Sequence, residues 1–233
     1  MEAIEMKQFK AMNVQSREVL IESGPAKLEG ELSVPENAGG LVLFAHGSGS
    51  SRHSPRNQYV ARVILEAGVG TLLFDLLTRE EEAVDLTTRH LRFDIGLLAR
   101  RLTEATAWAQ QQDDTSHLSA GYFGSSTGAA AALVAAAEIE DIGAIVSRGG
   151  RPDLAGPALC KVKAPTLLIV GGRDEVVIDL NKKAYEELLC EKEMKIVPGA
   201  THLFEEPGAL EEVARLAAEW FRRHLHPSQH RER

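Results

Sequence analysis

The sequence lacks three features: a set of paired cysteines, an excess of positive charge and a long apolar segment. Its only cysteines are Cys160 and Cys190, too few for a disulfide framework, which favours a reducing compartment. The longest apolar run, Ala129–Ala137, is far shorter than the roughly 20 residues that span a bilayer. Residues Met1–Lys10 have no continuous apolar stretch typical of a secretory signal. These absences predict a cytoplasmic protein with no membrane association.

The net charge and the length exclude further classes of protein. A formal charge of −8 disfavours binding to the nucleic-acid backbone, which requires clustered Lys and Arg. A chain of 233 residues with 44% hydrophobic residues is long enough for one α/β domain with a sizeable core. We therefore predict a single domain over residues 1–233, with an N-terminal extension at 1–13 and a frayed polar tail at 226–233. The expected oligomeric state is a monomer or a homodimer.

Short apolar segments alternate with segments of helical period along the chain. Two alternating segments around Gly24-Pro25 predict an antiparallel hairpin, and six later runs are typical of strands buried on both faces. The predicted strands are Val14–Glu22, Lys27–Pro35, Leu41–Ala45, Gly70–Leu77, Ser119–Phe123, Ile142–Val146, Pro165–Val170 and Met194–Val197. The predicted helices are Asn57–Glu66, Leu91–Gln111, Ser126–Glu138, Asp179–Leu189 and Leu210–Leu225.

This alternation predicts a doubly wound α/β fold, with a mostly parallel eight-stranded sheet and helices on both faces. In such sheets ligands bind outside the carboxyl ends of the strands. Residues that carry chemistry are therefore expected in the loops that follow the strands.

One of these loops has the pattern G-x-S-x-G. Gly124-Ser125-Ser126-Thr127-Gly128 lies between a predicted strand and an alanine-rich helix, which is the setting in which a strained turn exposes a nucleophilic serine. The glycines at both ends allow the strand and the helix to approach closely. An ordinary tight turn, in which Ser125 or Ser126 caps the helix, remains the structural alternative.

A serine hydroxyl needs a base, and the base needs a group that fixes its tautomer. Asp174 follows the strand that ends at Val170, and His202 follows the last strand, so that serine, acid and histidine come in the order expected of this arrangement. Asp174 as a helix cap and His202 as a surface histidine are the alternatives, and Glu175 and Asp179 are reserve candidates for the acid.

The loop His46-Gly47-Ser48-Gly49-Ser50-Ser51 follows the first central strand. Its small residues leave main-chain N–H groups free, and we assign Ser48 and Thr127 as the donors to an oxyanion. The loop lacks the third glycine of a dinucleotide site and the Gly-Lys-Ser/Thr of a phosphate-binding loop. His46 and His53 lack the spacing and the carboxylate of a metal site. The sequence predicts no metal and no cofactor.

Taken together, several segments resemble the dienelactone hydrolase-like branch of the α/β-hydrolases over nearly the whole chain. They are Phe44–Asn57, Gly124–Gly128, Val146–Asp153, Gly171–Asp174 and Ala200–His202. Dienelactone hydrolase itself has a cysteine where this chain has Ser126, so its substrate is not carried over. The resemblance also implies that a lid would follow the sixth strand, where Gly149–Val162 is short, and therefore that the site is open.

The resulting prediction is a carboxylic ester hydrolase with Ser126 as nucleophile, His202 as base and Asp174 as the orienting acid. The expected substrates are small or medium soluble esters, lactones or thioesters. An acyltransferase with the same triad and a non-catalytic binding module of the same fold are the alternatives. Four arginines at the carboxyl ends of strands are candidates for binding a substrate carboxylate, or else for bracing the loops: Arg52, Arg56, Arg148 and Arg151.

Overall fold

The computed structural model describes residues 13–225. The predicted N-terminal extension, apart from Asn13, and the predicted tail at 226–233 lie outside the described residues. No helix within 13–225 is long and apolar enough to cross a membrane.

A single eight-stranded sheet runs through the molecule in the order β1-β2-β4-β3-β5-β6-β7-β8. The first two strands form the predicted antiparallel hairpin, and the strands from β3 to β8 are parallel to one another. The predicted fold class is confirmed. The strands are β1 Val14–Ser23, β2 Ala26–Pro35, β3 Gly40–Ala45, β4 Gly70–Phe74, β5 Ser119–Ser125, β6 Ile142–Arg148, β7 Thr166–Gly171 and β8 Lys192–Val197.

Helices cover both faces of this sheet, as their apolar faces require. The helices are α1 Pro55–Glu66, α2 Arg79–Thr88, α3 Ile95–Ala109, α4 Thr127–Glu138, α5 Glu175–Glu187 and α6 Ala209–His224, with 3₁₀ turns at Leu91–Phe93 and Pro152–Lys161. Helices α1 and α6 share one apolar cluster with the sheet, whereas α3, α4 and α5 share the other. Successive residues of β6 enter opposite clusters, Ile145 one and Val146 the other, which explains the uninterrupted apolar run in its sequence.

Three helical segments differ from the prediction; one of them, α5, begins at Glu175 and not at the expected Asp179. Helix α2 was not predicted, and the helix expected from Leu91 begins only at Ile95, after a 3₁₀ turn. The only buried residue of α2 is Asp85, so the segment has no apolar stripe that periodicity could detect. Its signal is instead a capping box formed by Thr78 and Glu81.

Candidate active site

Ser126 lies at the turn from β5 into α4 in a strained backbone conformation, with φ 50° and ψ −120°. It occupies the N-cap position of α4, but its side chain makes no capping hydrogen bond. A positive φ is uncommon for a residue with a Cβ and is found where surrounding structure enforces it. The alternative in which Ser126 serves as a helix cap therefore has no hydrogen bond to support it. Ser125 is the last residue of the strand, and its buried hydroxyl has no partner.

The two glycines of the pattern lie where chain segments touch. A Cβ on Gly124 would be 2.7 Å from the carbonyl oxygen of Gly128, and a Cβ on Gly128 would be 2.6 Å from that of His46. Contacts this short with main-chain atoms cannot be relieved by a side-chain movement. The spacing of glycines around Ser126 thus follows from the close packing of β5, α4 and the loop after β3.

Replacement of Gly128 is expected to destabilise the fold strongly. We expect Gly128→Ala to lower the free energy of unfolding by about 3 kcal/mol or more, because the new methyl group overpacks against main chain. The matched control is Gly96→Ala at an exposed position of α3, where the nearest atom to the new Cβ is a side-chain oxygen at 3.5 Å and the helix propensity improves. Urea denaturation of both variants measures the difference; equal midpoints would contradict the packing argument.

Asp174 and His202 come from the ends of neighbouring parallel strands, β7 and β8. Asp174 occupies the N-cap position of α5 without making a capping hydrogen bond. Its Oδ2 lies 2.6 Å from Nδ1 of His202. With Nδ1–H as the donor to this carboxylate, Nε2 is left as the acceptor that a general base requires. The two reserve candidates are exposed, and Asp179 pairs with Lys182 at 3.3 Å.

The imidazole of His202 lies beside the strand end that holds Ser126. The main-chain N–H of Ser126 donates to the carbonyl of Arg148 at 3.3 Å. Directly after Arg148, a Cβ on Gly149 would be 3.6 Å from Cε1 of His202. The absence of a side chain at Gly149, whose φ is 50°, therefore leaves space for the histidine beside the end of β6.

The loop that carries His202 is fixed at several points. Phe204 has a φ of 55° and is 2% exposed, so its ring holds the loop down in the apolar cluster of α1 and α6. The N–H of Thr201 donates to the Glu206 carboxylate at 3.0 Å. Hydrogen bonds from Thr201 lower the pKa of Glu206, which keeps this acceptor ionised.

The predicted oxyanion loop, His46–Ser51, lies against the turn that holds Ser126, the nucleophile elbow. A Cβ on Gly47 would be 3.0 Å from Cβ of Ser126, and the hydroxyls of Ser48 and Thr127 are 3.1 Å apart. Within residues 13–225, the main-chain N–H groups of Ser48 and Thr127 donate to no protein acceptor. Two free N–H groups beside one serine are what stabilisation of an oxyanion needs.

His46 braces this loop. Its Nδ1 lies 3.1 Å from the carbonyl of Gly47, and its Nε2 accepts the N–H of Leu76 at 2.9 Å. Burial lowers the pKa of His46, so the ring is neutral and fits these two hydrogen bonds. No group of three or more His, Cys, Asp or Glu side chains in the described part of the chain could hold a metal ion.

A cleft beside the oxyanion loop is bordered by the segment from α2 to the following 3₁₀ turn, not by the loop after β6. Glu82, Asp85 and Arg92 from this segment line it together with His46, Ser48 and Thr127. Asp85 is fully buried and accepts the N–H of Leu91 at 2.7 Å as well as the guanidinium of Arg92. The cavity there measures about 20 Å³, which is room for about one water molecule.

The four candidate arginines fall into two groups. Arg52 binds Glu29 at 2.7 Å and also Asp75. Arg151 makes a bidentate pair with Asp153 at 2.8 and 2.9 Å. These two have the bracing role that was the alternative to substrate binding. Arg56 pairs with Glu205 at 3.2 Å, whereas Arg148 is buried, and its burial, followed by the positive charge of Arg56, lowers its pKa.

Comparison with known proteins identifies relatives of the same fold. The model of the dienelactone hydrolase family matches residues 29–226. The chain is 62% identical to a dienelactone hydrolase from Anabaena variabilis of known crystal structure, with a TM-score of 0.89 and coverage of 91% of this chain and 99% of that one. A cold-adapted esterase from an Arctic intertidal metagenomic library has the same fold at 16% identity, with a TM-score of 0.74 and coverage of 91% and 94%.

Longer relatives are also known. Two proteins of Mycobacterium tuberculosis strains, each named putative phosphoribosyl transferase, are 58% identical over 213 residues, which is 91% of this chain and 47% of theirs. The chain thus spans about half the length of these relatives. The match of the family model over most of the sequence, together with the close similarity to the Anabaena protein, shows that the chain belongs to the dienelactone hydrolase family.

Proposed function

We propose that this hydrolase cleaves small or medium soluble carboxylic esters, lactones or thioesters through an acyl-enzyme on Ser126. One observation carries the proposal: Asp174 and His202 are hydrogen-bonded beside the strand end that holds Ser126, whose backbone is strained and whose side chain makes no capping hydrogen bond. Ser126 and Asp174 both occupy the N-cap position of a helix, and neither side chain makes a capping hydrogen bond. Polar side chains left free at such positions are available for chemistry.

In the proposed reaction, Oγ of Ser126 attacks the carbonyl carbon of the substrate while Nε2 of His202 takes the hydroxyl proton. The Asp174 carboxylate stabilises the imidazolium that forms. The main-chain N–H groups of Ser48 and Thr127 hold the negative oxygen of the tetrahedral intermediate. When the intermediate collapses, His202 returns the proton to the departing alcohol or thiol. Water, activated by the same histidine, then releases the acid and regenerates Ser126.

The shape of the site supports a small acyl group. The cavity beside the oxyanion loop is only about 20 Å³, so a long acyl chain finds no enclosed room there. Leu76, Leu77 and Leu98 provide its apolar lining. Without an enclosed channel at this point, short aliphatic or lactone acyl groups suit the site better than lipid chains do.

The name of the mycobacterial relatives applies to proteins about twice as long as the aligned region. We propose that the aligned half of those proteins carries the hydrolase site, because the present chain has the complete nucleophile elbow and no glycine-rich phosphate loop. Transfer of the acyl group to an acceptor other than water is the second outcome that the same triad allows. Adding alcohols to an esterase assay and analysing the products separates transfer from hydrolysis.

Labelling with a fluorophosphonate tests the proposal directly. We expect stoichiometric phosphonylation of the peptide that contains Ser126, because in the proposed reaction His202 activates its hydroxyl. Peptide mapping by mass spectrometry locates the label, and denatured protein is the control. Modification of Ser125 alone, or no label on folded protein, would contradict the assignment.

A further inference from the structure

Arg148, the last residue of β6, is a buried cation without a partner. It is 8% exposed, and its Nη1 is buried without a hydrogen bond. Within residues 13–225, its guanidinium makes no ion pair with a carboxylate. Burial, and then the neighbouring positive charge of Arg56, lower its pKa to about 10. Buried charges in proteins are nearly always paired, so a negative counter-charge is missing here.

Arg56 brings a second positive charge to the Arg148 end of β6. It pairs with Glu205, which follows Phe204, and a Cβ on Gly149, directly after Arg148, would be 3.3 Å from the Phe204 ring. The Nη1 atom of Arg56 donates to Glu205 at 3.2 Å, while its Nε is buried and unpartnered. The first turn of α1, to which Arg56 belongs, contains no acidic residue, and its N-cap makes no side-chain hydrogen bond. The negative charge of Glu205 balances one of the two guanidinium groups. One positive charge remains.

Ser125 supplies a third unpartnered donor on the same face. It is directly opposite Arg148 in the parallel register of β5 and β6, and side chains opposite each other in such a pair point to the same face. That face is the one covered by α1 and α6, since Phe123 and Val146, two positions earlier in each strand, pack into their cluster. Ser125 is 3% exposed, and its hydroxyl has no hydrogen-bond partner.

We infer that one small monovalent anion, a chloride ion or a carboxylate group, binds between Arg148, Arg56 and the hydroxyl of Ser125. All three side chains are donors, so an acceptor satisfies them together. The anion should carry one negative charge, because one positive charge is left uncompensated. It should be small, because Arg148 is almost completely buried. Because the carbonyl of Arg148 accepts the N–H of Ser126, the anion connects α1 to the strand end that carries the nucleophile. A chloride ion would occupy the site whatever the protein hydrolyses; a carboxylate on the substrate rests on the proposed function.

Chloride titration of thermal stability tests the free-ion source. In chloride-free buffer we expect sodium chloride to raise the Tm of the full chain saturably, by about 2–4 °C, since a ligand that binds only the folded state stabilises it. Arg148→Met, which replaces the buried cation with an apolar chain, should fold and lose this response. Arg151→Met, whose arginine is already paired with Asp153, should retain it and thereby corrects for ionic strength. Repeating the titration on Ser126→Ala makes the result independent of catalysis.

Two further measurements distinguish the sources of the anion. Crystals soaked in bromide should show anomalous density between Arg148 and Arg56 if the anion is free. If chloride has no effect, an ester bearing a free carboxylate should have a KM about tenfold below that of a neutral ester of equal size, and Arg148→Met should abolish that difference. An unchanged Tm in chloride, no bromide density and equal KM values would together overturn the inference.

Discussion

Ser126→Ala is expected to lower kcat for a small activated ester by about 10⁴-fold to 10⁶-fold, because we propose that the acyl-enzyme forms on the hydroxyl of Ser126. The variant should keep its fold, because the Ser126 side chain makes no hydrogen bond that caps α4. Burst kinetics of the native protein and steady-state rates of the variant measure the effect. Thermal denaturation should show a change in Tm of no more than about 2 °C.

The matched control is Ser116→Ala, which removes an exposed hydroxyl just before β5. This position precedes the amino end of the strand, whereas Ser126 follows its carboxyl end, so the control should turn over at the native rate. A Ser126→Ala variant that retains more than a few per cent of the activity would show that hydrolysis does not proceed through this serine.

Asp174→Asn is expected to lower kcat by about 10⁴-fold while leaving the free energy of unfolding nearly unchanged. An amide at this position can donate to Nδ1 of His202, which favours the tautomer with the proton on Nε2, and it cannot stabilise the imidazolium. A weakened helix cap cannot explain a loss of activity, because the side chain of Asp174 makes no capping hydrogen bond to α5. Rates and urea midpoints measured on the same preparation separate the chemical effect from a folding effect.

Glu175→Gln and Asp179→Asn are the controls for Asp174, since both residues are exposed acids on α5 and were reserve candidates for its role. Each should retain the native rate within about twofold. A large loss in either variant together with a near-native Asp174→Asn would transfer the role of the acid to that residue.

The fold and the turn around Ser126 could be predicted because their determinants are local. Continuous apolar runs bounded by glycine predicted the buried strands, and their boundaries differ by few residues from the observed ones. The pattern from Gly124 to Gly128 encodes a close approach that only residues without a Cβ permit. Helix α2 escaped prediction because it is polar on nearly all sides and is held by Asp85 and its capping box.

The positions of Asp174 and His202 could be placed at the correct edge of the sheet from sequence, since parallel strands end on one side. Their hydrogen bond could not be derived, because the helix-cap alternative for Asp174 is equally consistent with the sequence. The structure provides the hydrogen-bond distance of 2.6 Å. Catalytic roles for these residues remain the prediction that the variants above test.

The four candidate arginines show most clearly what can be inferred from sequence and what requires the folded structure. Arg52, Arg56, Arg148 and Arg151 could be placed near the carboxyl ends of strands from the sequence alone, because alternating strands and helices imply parallel strands that end on one side of the sheet. Which of them pair with a carboxylate depends on packing: Arg52, Arg56 and Arg151 do, whereas Arg148 is buried without one among residues 13–225. The charge state and the solvation of a side chain depend on the residues that packing brings near it, such as Glu29 beside Arg52. The separation of two residues in the sequence does not indicate their distance in the fold.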